Sequence, residues 1–292
     1  MSGIENLYAV MLVVALVLNG IALAGATPLR SFFAPLREGR LILGILILDL
    51  LVVPLVAVGL ATLLDLDEVT RAAIVIVAAA SAGPIGIALS RIGRGDLPTA
   101  VTIVIGLGAL NLLTVPLVTG LFLPDSVPLP PATIMISLLG LVVAPLVAGR
   151  VFAVLTARAR VDAPRTGRWL AVIGRSADAS LAVAVTIAVF IDPRATIDVL
   201  TGPVSLVAVV VMLVVTVGAR SLTRDQARRR TIALTINARS VGLALTLTAL
   251  HLGDVPGLTS TVLAYGGLTQ LVPILIVLAA RWRRRLSEPT PR

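Results

Sequence analysis

Apolar residues fill nine long segments of this chain, and short polar, glycine-containing or proline-containing connections separate them. Each segment approaches or exceeds the roughly 20 residues that an α-helix needs to cross a bilayer. The connections are too short to hold a further soluble domain. The pattern predicts an all-α polytopic membrane protein with nine transmembrane helices, near residues 8–26, 41–64, 69–92, 97–122, 131–155, 168–191, 196–219, 229–251 and 258–281.

The third and eighth of these spans are interrupted at mid-depth. Gly86-Ile-Ala-Leu in the third span matches Gly242-Leu-Ala-Leu in the eighth, close to the interruption in each. The two spans are expected to run in opposite directions, and unpaired backbone at that depth must be enclosed by protein or water. This combination is typical of inverted repeats with discontinuous helices at a transport site. We therefore predict two repeats of four and five helices, with two discontinuous helices that cross. Simple kinks in packed helices are the alternative.

The charged residues alternate between the two sides of the predicted membrane. Every second connection is rich in arginine, and the others hold seven acidic residues against only Arg71 and Arg194. By the positive-inside rule the N-terminus is outside and the C-terminus is cytoplasmic, in a multi-pass protein of the cell inner (plasma) membrane. The net charge of +9 comes from arginines in these particular loops, so it predicts orientation in a lipid bilayer and no nucleic-acid partner.

The amino-acid composition limits the kinds of metal site and active site that the chain could hold. Hydrophobic residues make up 58% of the 292 residues and charged residues only 13%, with a mean hydropathy of +1.05. Cysteine is absent and His251, predicted at the outer end of the eighth span, is the single histidine. Thiolate and multi-histidine metal sites are therefore not expected, and we find no nucleophile with a base. We predict no metal site, no cofactor and no enzymatic activity.

Arg239 is the most unusual residue of the chain. It lies ten residues beyond Arg229, which places it about 15 Å into the membrane at 1.5 Å per residue. A charge at that depth costs roughly 2.5 to 3.5 kcal/mol and needs a partner. Asp49, in the second span, is the best candidate. The pair is either a structural ion pair or part of a cycle in which Asp49 takes and releases a proton as Arg239 moves.

Other polar residues fall in the same layer. Counting from the nearest cytoplasmic arginine places Asn19, Asp178 and Gln270 at about the depth of Arg239. Arg175 and Asp178 are three residues apart on one helical face, so they can pair locally, and Arg175 could instead snorkel to the cytoplasmic surface. Asn111, before Pro116, is expected to bond to the backbone.

The residues around the two interruptions form the candidate substrate and ion site. A half-helix that begins at such a break presents free N–H groups and a partial positive charge, which suit an anionic group. The candidates are Gly83, Pro84 and Gly86 in the third span, and Thr235, Asn237, Arg239 and Ser240 in the eighth, with Asp49 in the second.

These motifs resemble those of the bile acid:sodium symporter family. The markers are Ala79-Ala80-Ser81-Ala82-Gly83-Pro84 with Arg94-Gly95-Asp96, and Arg229-Arg230-Thr231 with Gly242-Leu243-Ala244. The resemblance implies a single transmembrane transporter domain over residues 1–292. Its core helices would lie near 69–122 and 229–281, and its panel helices near 8–26 and 131–191.

The resemblance also reveals departures at the family's sodium ligands. Its glutamate, glutamine and asparagine in the eighth span align with Thr235, Arg239 and Ser240, and its glutamine in the second span aligns with Asp49. Hard cations need several oxygen ligands. Sodium coupling is therefore not expected, and the Arg239 guanidinium paired to Asp49 is our hypothesis for an internal replacement of one sodium ion.

The functional prediction is a secondary active or facilitative transporter of a small or amphipathic organic anion, working by alternating access. Proton coupling through Asp49 and facilitated diffusion are both open. Two alternatives are kept. The chain could be a cation/proton antiporter of related architecture that uses Asp49 or Asp178, or a membrane receptor or scaffold that transports nothing.

Overall fold

A computed structural model describes residues 3–27, 38–124, 126–127, 129–159, 162–191, 197 and 201–287. Within these ranges the regular structure is helical, and the only β-type pairing is one isolated bridge. The helices are α1 (Gly3–Ala26), α2 (Gly39–Leu63), α3 (Glu68–Ala79), α4 (Ile85–Ile92), α5 (Leu97–Phe122), α6 (Pro131–Leu138, Leu139–Val143 and Ala144–Arg158 in continuous succession), α7 (Ala163–Ile191), α8 (Pro203–Leu222), α9 (Gln226–Asn237), α10 (Val241–His251) and α11 (Leu258–Ser287).

Seven helices in the described part of the chain are long and apolar enough to cross a membrane: α1, α2, α5, α6, α7, α8 and α11. The shorter apolar helix α10 follows α9, and α3 precedes α4, in the positions of the two interrupted spans. The nine-span count and the inverted repeat remain predictions. Helix α8 begins at Pro203, because Gly202 is extended and proline favours the first turn of a helix. The predicted start of this span near 196 lies outside the described residues.

The helices form two groups. In the first, which we call the panel group, α1 packs along α6 and α7. This packing is close because a Cβ on Gly149 of α6 would lie 2.3 Å from the Ile21 carbonyl oxygen of α1. In the second, which we call the core group, α3, α4, α9 and α10 pack among α5 and α11, with α2 and α8 alongside.

Helix α3 lies at the centre of the core group. Every residue from Ala72 to Ala80 is at most 2% exposed, which is the pattern of a helix surrounded by protein on all sides. Asp67 caps its N-terminus by accepting a hydrogen bond from the Thr70 N–H at 3.0 Å. The C-terminal end of α3 is therefore held at a fixed, dry position in the middle of the protein.

Helix α2 contains a single π-helical turn over Ile47–Val52. Pro54, which follows, has no backbone N–H to give to the carbonyl four residues before it, so regular α-helical bonding cannot continue through this point. Asp49 lies in this turn and its side chain is fully buried.

Candidate functional site

The two helix breaks cross each other and exchange backbone hydrogen bonds. Ala82, between α3 and α4, pairs with Arg239, between α9 and α10, as an isolated antiparallel bridge. The Gly83 N–H donates to the Ala238 carbonyl at 2.8 Å, and the Ser240 N–H donates to the Ser81 carbonyl at 2.9 Å. Each break thus supplies partners for backbone groups that helical bonding leaves free.

Small residues allow this crossing. A Cβ on Gly83 would lie 3.1 Å from the Arg239 carbonyl oxygen, and a Cβ on Gly86 would lie 2.9 Å from the Thr235 Cα. Pro84 occupies the position just before α4. The candidates Gly83, Pro84 and Gly86 are therefore brought together with Thr235 by direct contact between two backbones.

Arg239 and Asp49 form the predicted ion pair. Arg239 is 3% exposed and Asp49 0%. Nη1 of Arg239 contacts Oδ1 of Asp49, Nη2 donates to the Ala78 carbonyl, and Nε donates to the Val77 carbonyl at 3.4 Å. Those two carbonyls belong to the last turn of α3, where the helix carries partial negative charge. The guanidinium therefore caps a helix C-terminus and neutralises a carboxylate at the same time.

Two residues of the predicted polar layer hold the breaks in place. The Gln270 amide donates to the Arg239 carbonyl at 2.9 Å. The Asn111 side-chain oxygen accepts the Ser81 N–H at 3.2 Å, so it bonds to the backbone of the first break and not to backbone near Pro116. Both contacts satisfy buried backbone groups, which would otherwise be costly in a membrane interior.

The other candidates in the eighth span are placed differently. The Thr235 hydroxyl lies 3.3 Å from the Ser90 hydroxyl of α4. Asn237 is buried, and its side-chain oxygen has no hydrogen-bond partner in the described structure. Ser240 is half-buried and makes no side-chain cap at the start of α10.

Arg175 and Asp178 do not form a local ion pair. Nε of Arg175 instead donates to the Ala171 carbonyl on its own helix at 3.3 Å. Asp178 is exposed, and it makes no ion pair or hydrogen bond with any described residue. The spacing allowed the pair, but the arginine side chain turns back along α7.

A cavity of about 670 Å³ lies between the panel group and α4 of the core group. It extends from Pro84, beside the crossing, to the end of the molecule that the charge pattern assigns to the cytoplasm. Asn19 from the predicted polar layer is in its wall, and Arg91 is the only charged residue among the described residues there. The remaining lining residues are Ala22, Leu23, Gly25, Ala26, Ile87, Ala88, Ala153, Thr156, Ala157, Thr166, Gly167, Leu170 and Ala171.

Sequence reasoning missed Arg91 as a site residue. It lies seven residues after Pro84, so two turns of helix place both on one face of α4. That spacing was the available signal, but Arg91 was counted only as a loop charge.

A polar cluster joins the N-terminal ends of α2, α5 and α9 on the same side. The Asp96 N–H donates to the Thr231 hydroxyl at 2.7 Å, which brings together two of the family-like motifs. Nη1 of Arg228 contacts Oε2 of Glu38 at 2.6 Å, and its Nε lies 3.6 Å from Oδ2 of Asp96. The hydrogen bond that Arg228 donates to Glu38 raises the pKa of the guanidinium above its ordinary value.

Comparison with known families agrees with this arrangement. The model of the sodium bile acid symporter family matches residues 11–226, which include the first broken helix and end at the start of α9. Arg239 and the second break lie beyond the matched residues. No curated protein matches the chain. Because the match covers most of the chain, the protein belongs to the sodium bile acid symporter family.

Proposed function

We propose that this protein carries a small or amphipathic organic anion across the membrane by alternating access. The observation that carries the proposal is the cavity between the panel group and α4. The described residues of its wall are mostly apolar, with a few polar groups and a single cation, which is the composition expected for an amphipathic anion. It reaches the crossing of the two broken helices, the usual place of a substrate site in transporters built this way.

Arg91 is the residue that we assign to the charge of the substrate. It is exposed and lines the cavity, and its guanidinium has no ion-pair or hydrogen-bond partner among the described residues. Arg239 is a poorer choice than the sequence suggested, because Asp49 and two carbonyls already occupy its guanidinium. An anion that approached Arg239 would have to displace these buried contacts.

Arg239 has a different role in this proposal. Its positive charge stands at the C-terminal end of α3, against a carboxylate and two carbonyl oxygens. Such oxygens are the ligands that a hard cation prefers. A tethered guanidinium there makes a bound sodium ion unnecessary, so we propose that transport does not use a sodium gradient.

The test is the thermal stability of the purified protein in detergent, measured with taurocholate, cholate, benzoate and short aliphatic carboxylates, each with and without sodium. A ligand that binds only the folded protein raises its apparent stability. We expect at least one anion to stabilise the protein equally in sodium and in choline buffer. If no anion stabilises a correctly folded protein, the receptor or scaffold alternative is favoured.

Replacing Arg91 by glutamine is expected to weaken the binding of the stabilising anion about tenfold. This corresponds to the loss of roughly one charge-assisted hydrogen bond. A neutral analogue, such as the methyl ester of the same acid, should lose little affinity. Arg94→Gln is the matched control, because Arg94 is also exposed but does not line the cavity. Equal affinities of wild type and Arg91→Gln for the anion would show that the charge is recognised elsewhere.

The antiporter alternative has less support. It requires a carboxylate that is free to exchange cations. Asp49 is sealed and paired with Arg239, so of its two candidates only the exposed Asp178 could serve. Cation flux driven by a proton gradient in the absence of any organic anion would favour it nonetheless.

A further inference from the structure

Asp178 is an acidic residue that belongs neither to the ion pair of Asp49 and Arg239 nor to the residues that line the cavity. It lies on α7, ten residues beyond Arg168, which places it about 15 Å into the membrane. It is exposed and unpaired among the described residues. Ionisable side chains at this depth face protein or a water-filled space rather than lipid, so the surroundings of Asp178 decide what it does.

The position of Asp178 on α7 directs its side chain toward the space between the panel group and the core group. We call this space, which contains the cavity, the transport cleft. Gly167 and Ala171 line the cavity. Asp178 lies eleven and seven residues beyond them, which returns it to the same stripe of α7 at 3.6 residues per turn. One turn further on, Leu181 packs against the start of α10, with its Cδ1 3.5 Å from the position of a Cβ on Gly242. The carboxylate therefore lies on the panel wall close to the crossing.

The charged groups around this stripe are basic. Arg239 is sealed inside the core group, and His251 lies at the opposite end of α10 from Gly242. Residues 6–26 of α1 and 258–280 of α11 carry no charge. The other described charges on the neighbouring helices are Arg91 on α4, Arg150 and Arg158 on α6, and Arg165, Arg168 and Arg175 on α7 itself. Arg175 donates to the Ala171 carbonyl and Arg150 to the Thr27 carbonyl at 3.4 Å, so neither pairs with Asp178.

We propose that Asp178 is the proton-binding site of the transport cleft, and that the cleft closes only when this carboxylate is protonated. Closing the panel group onto the core group removes water from the side chain. Dehydrating an unpaired ionised carboxylate is costly, whereas a neutral carboxyl group can be buried with a hydrogen bond. The proposal rests on the alternating access proposed above and makes its closing step depend on pH.

The proposal has a direct consequence for rate. The cleft must close both when it is loaded and when it returns empty, and each closure needs the protonated carboxyl group. The rate of transport should therefore rise as the pH on both sides of the membrane is lowered.

The test uses the absence of cysteine from the chain. A single cysteine at Ala88, which is exposed in the cavity wall, reports whether the cleft is open to the cytoplasmic side. Its labelling by a membrane-impermeant maleimide is measured at several pH values in inside-out vesicles without added substrate. Each rate is divided by that of a cysteine at Gln226, which is exposed at the start of α9, to remove the pH dependence of the thiol.

We expect normalised labelling of the Ala88 cysteine to fall severalfold as the pH is lowered through the titration of the carboxyl group. In the Asp178→Asn background it should be low at every pH, because the neutral amide allows closure. Asp178→Glu should restore the pH dependence, and Asp162→Asn, a change at an exposed acid before α7, should leave it as in wild type.

Two results would overturn the inference: wild-type labelling that does not change with pH, or a pH dependence that survives in Asp178→Asn. Both are separate from the outcome for the proposed function. The labelling needs no substrate, so a protein that transports an anion without this pH response would refute only the role of Asp178. A pH response without any bound or transported anion would refute only the substrate class.

Discussion

Asp49→Asn is expected to lower the free energy of unfolding by about 3 to 5 kcal/mol, the usual effect of removing one partner of a buried ion pair. The carboxylate is 0% exposed and accepts from a guanidinium that is 3% exposed. Asparagine leaves the Arg239 charge uncompensated in a dry environment, where no water can replace the lost partner. The variant should unfold at lower temperature and at lower denaturant concentration in detergent.

The double variant Asp49→Asn with Arg239→Gln is the matched control. It removes both charges together, and it restores at position 239 the glutamine to which the family resemblance aligns it. Replacing both partners of a buried pair by neutral groups is often nearly neutral. We expect the double variant to be clearly more stable than Asp49→Asn alone. Equal stability of the two would show that the charges do not interact.

Gly86→Val is expected to have the second large effect. A Cβ at Gly86 would lie 2.9 Å from both Cα and Cγ2 of Thr235. Because one of these atoms is backbone, α4 and α9 would have to move apart rather than a side chain rotate. Overpacking of this kind costs roughly 1 to 3 kcal/mol, and here it displaces the crossing itself. We expect lower stability and loss of most anion binding, measured by thermal unfolding with and without the stabilising anion.

Gly106→Val separates this clash from the general effect of valine in a helix. Gly106 lies within α5, and a Cβ added there would meet no atom within 4 Å. Valine at this position therefore has its usual effect on helix stability without a clash against a neighbouring helix. It should bind the anion like wild type. If both valine variants behave alike, the close approach at Gly86 is not needed for function.

Much of the crossing could be predicted from the sequence. A charge in an apolar span must find a partner, and few acids lie at that depth, so Asp49 could be matched to Arg239. Glycine and proline at matched positions in two apolar spans likewise indicated the breaks. These features are local or follow from depth, which chain counting measures well.

The cavity could not be predicted in the same way. Its walls come from helices that are distant in sequence, and its width depends on how α1, α6 and α7 pack against α4. Arg91 therefore looked like an ordinary loop charge, and Arg239 looked available to a substrate although its donors are already used. The local pair of Arg175 and Asp178 is absent for a related reason, because spacing permits a contact but does not choose between rotamers.

Equilibrium binding of radioactive sodium to the purified protein most directly tests whether the Arg239 guanidinium takes the place of a coupling cation. The measurement is made with and without the anion that stabilises the protein most, on wild type and on the Asp49→Asn variant. We expect no saturable sodium binding by the wild type under either condition. Saturable binding by the wild type that is lost in Asp49→Asn would contradict the account, because a sodium ion would then share the site assigned to Arg239.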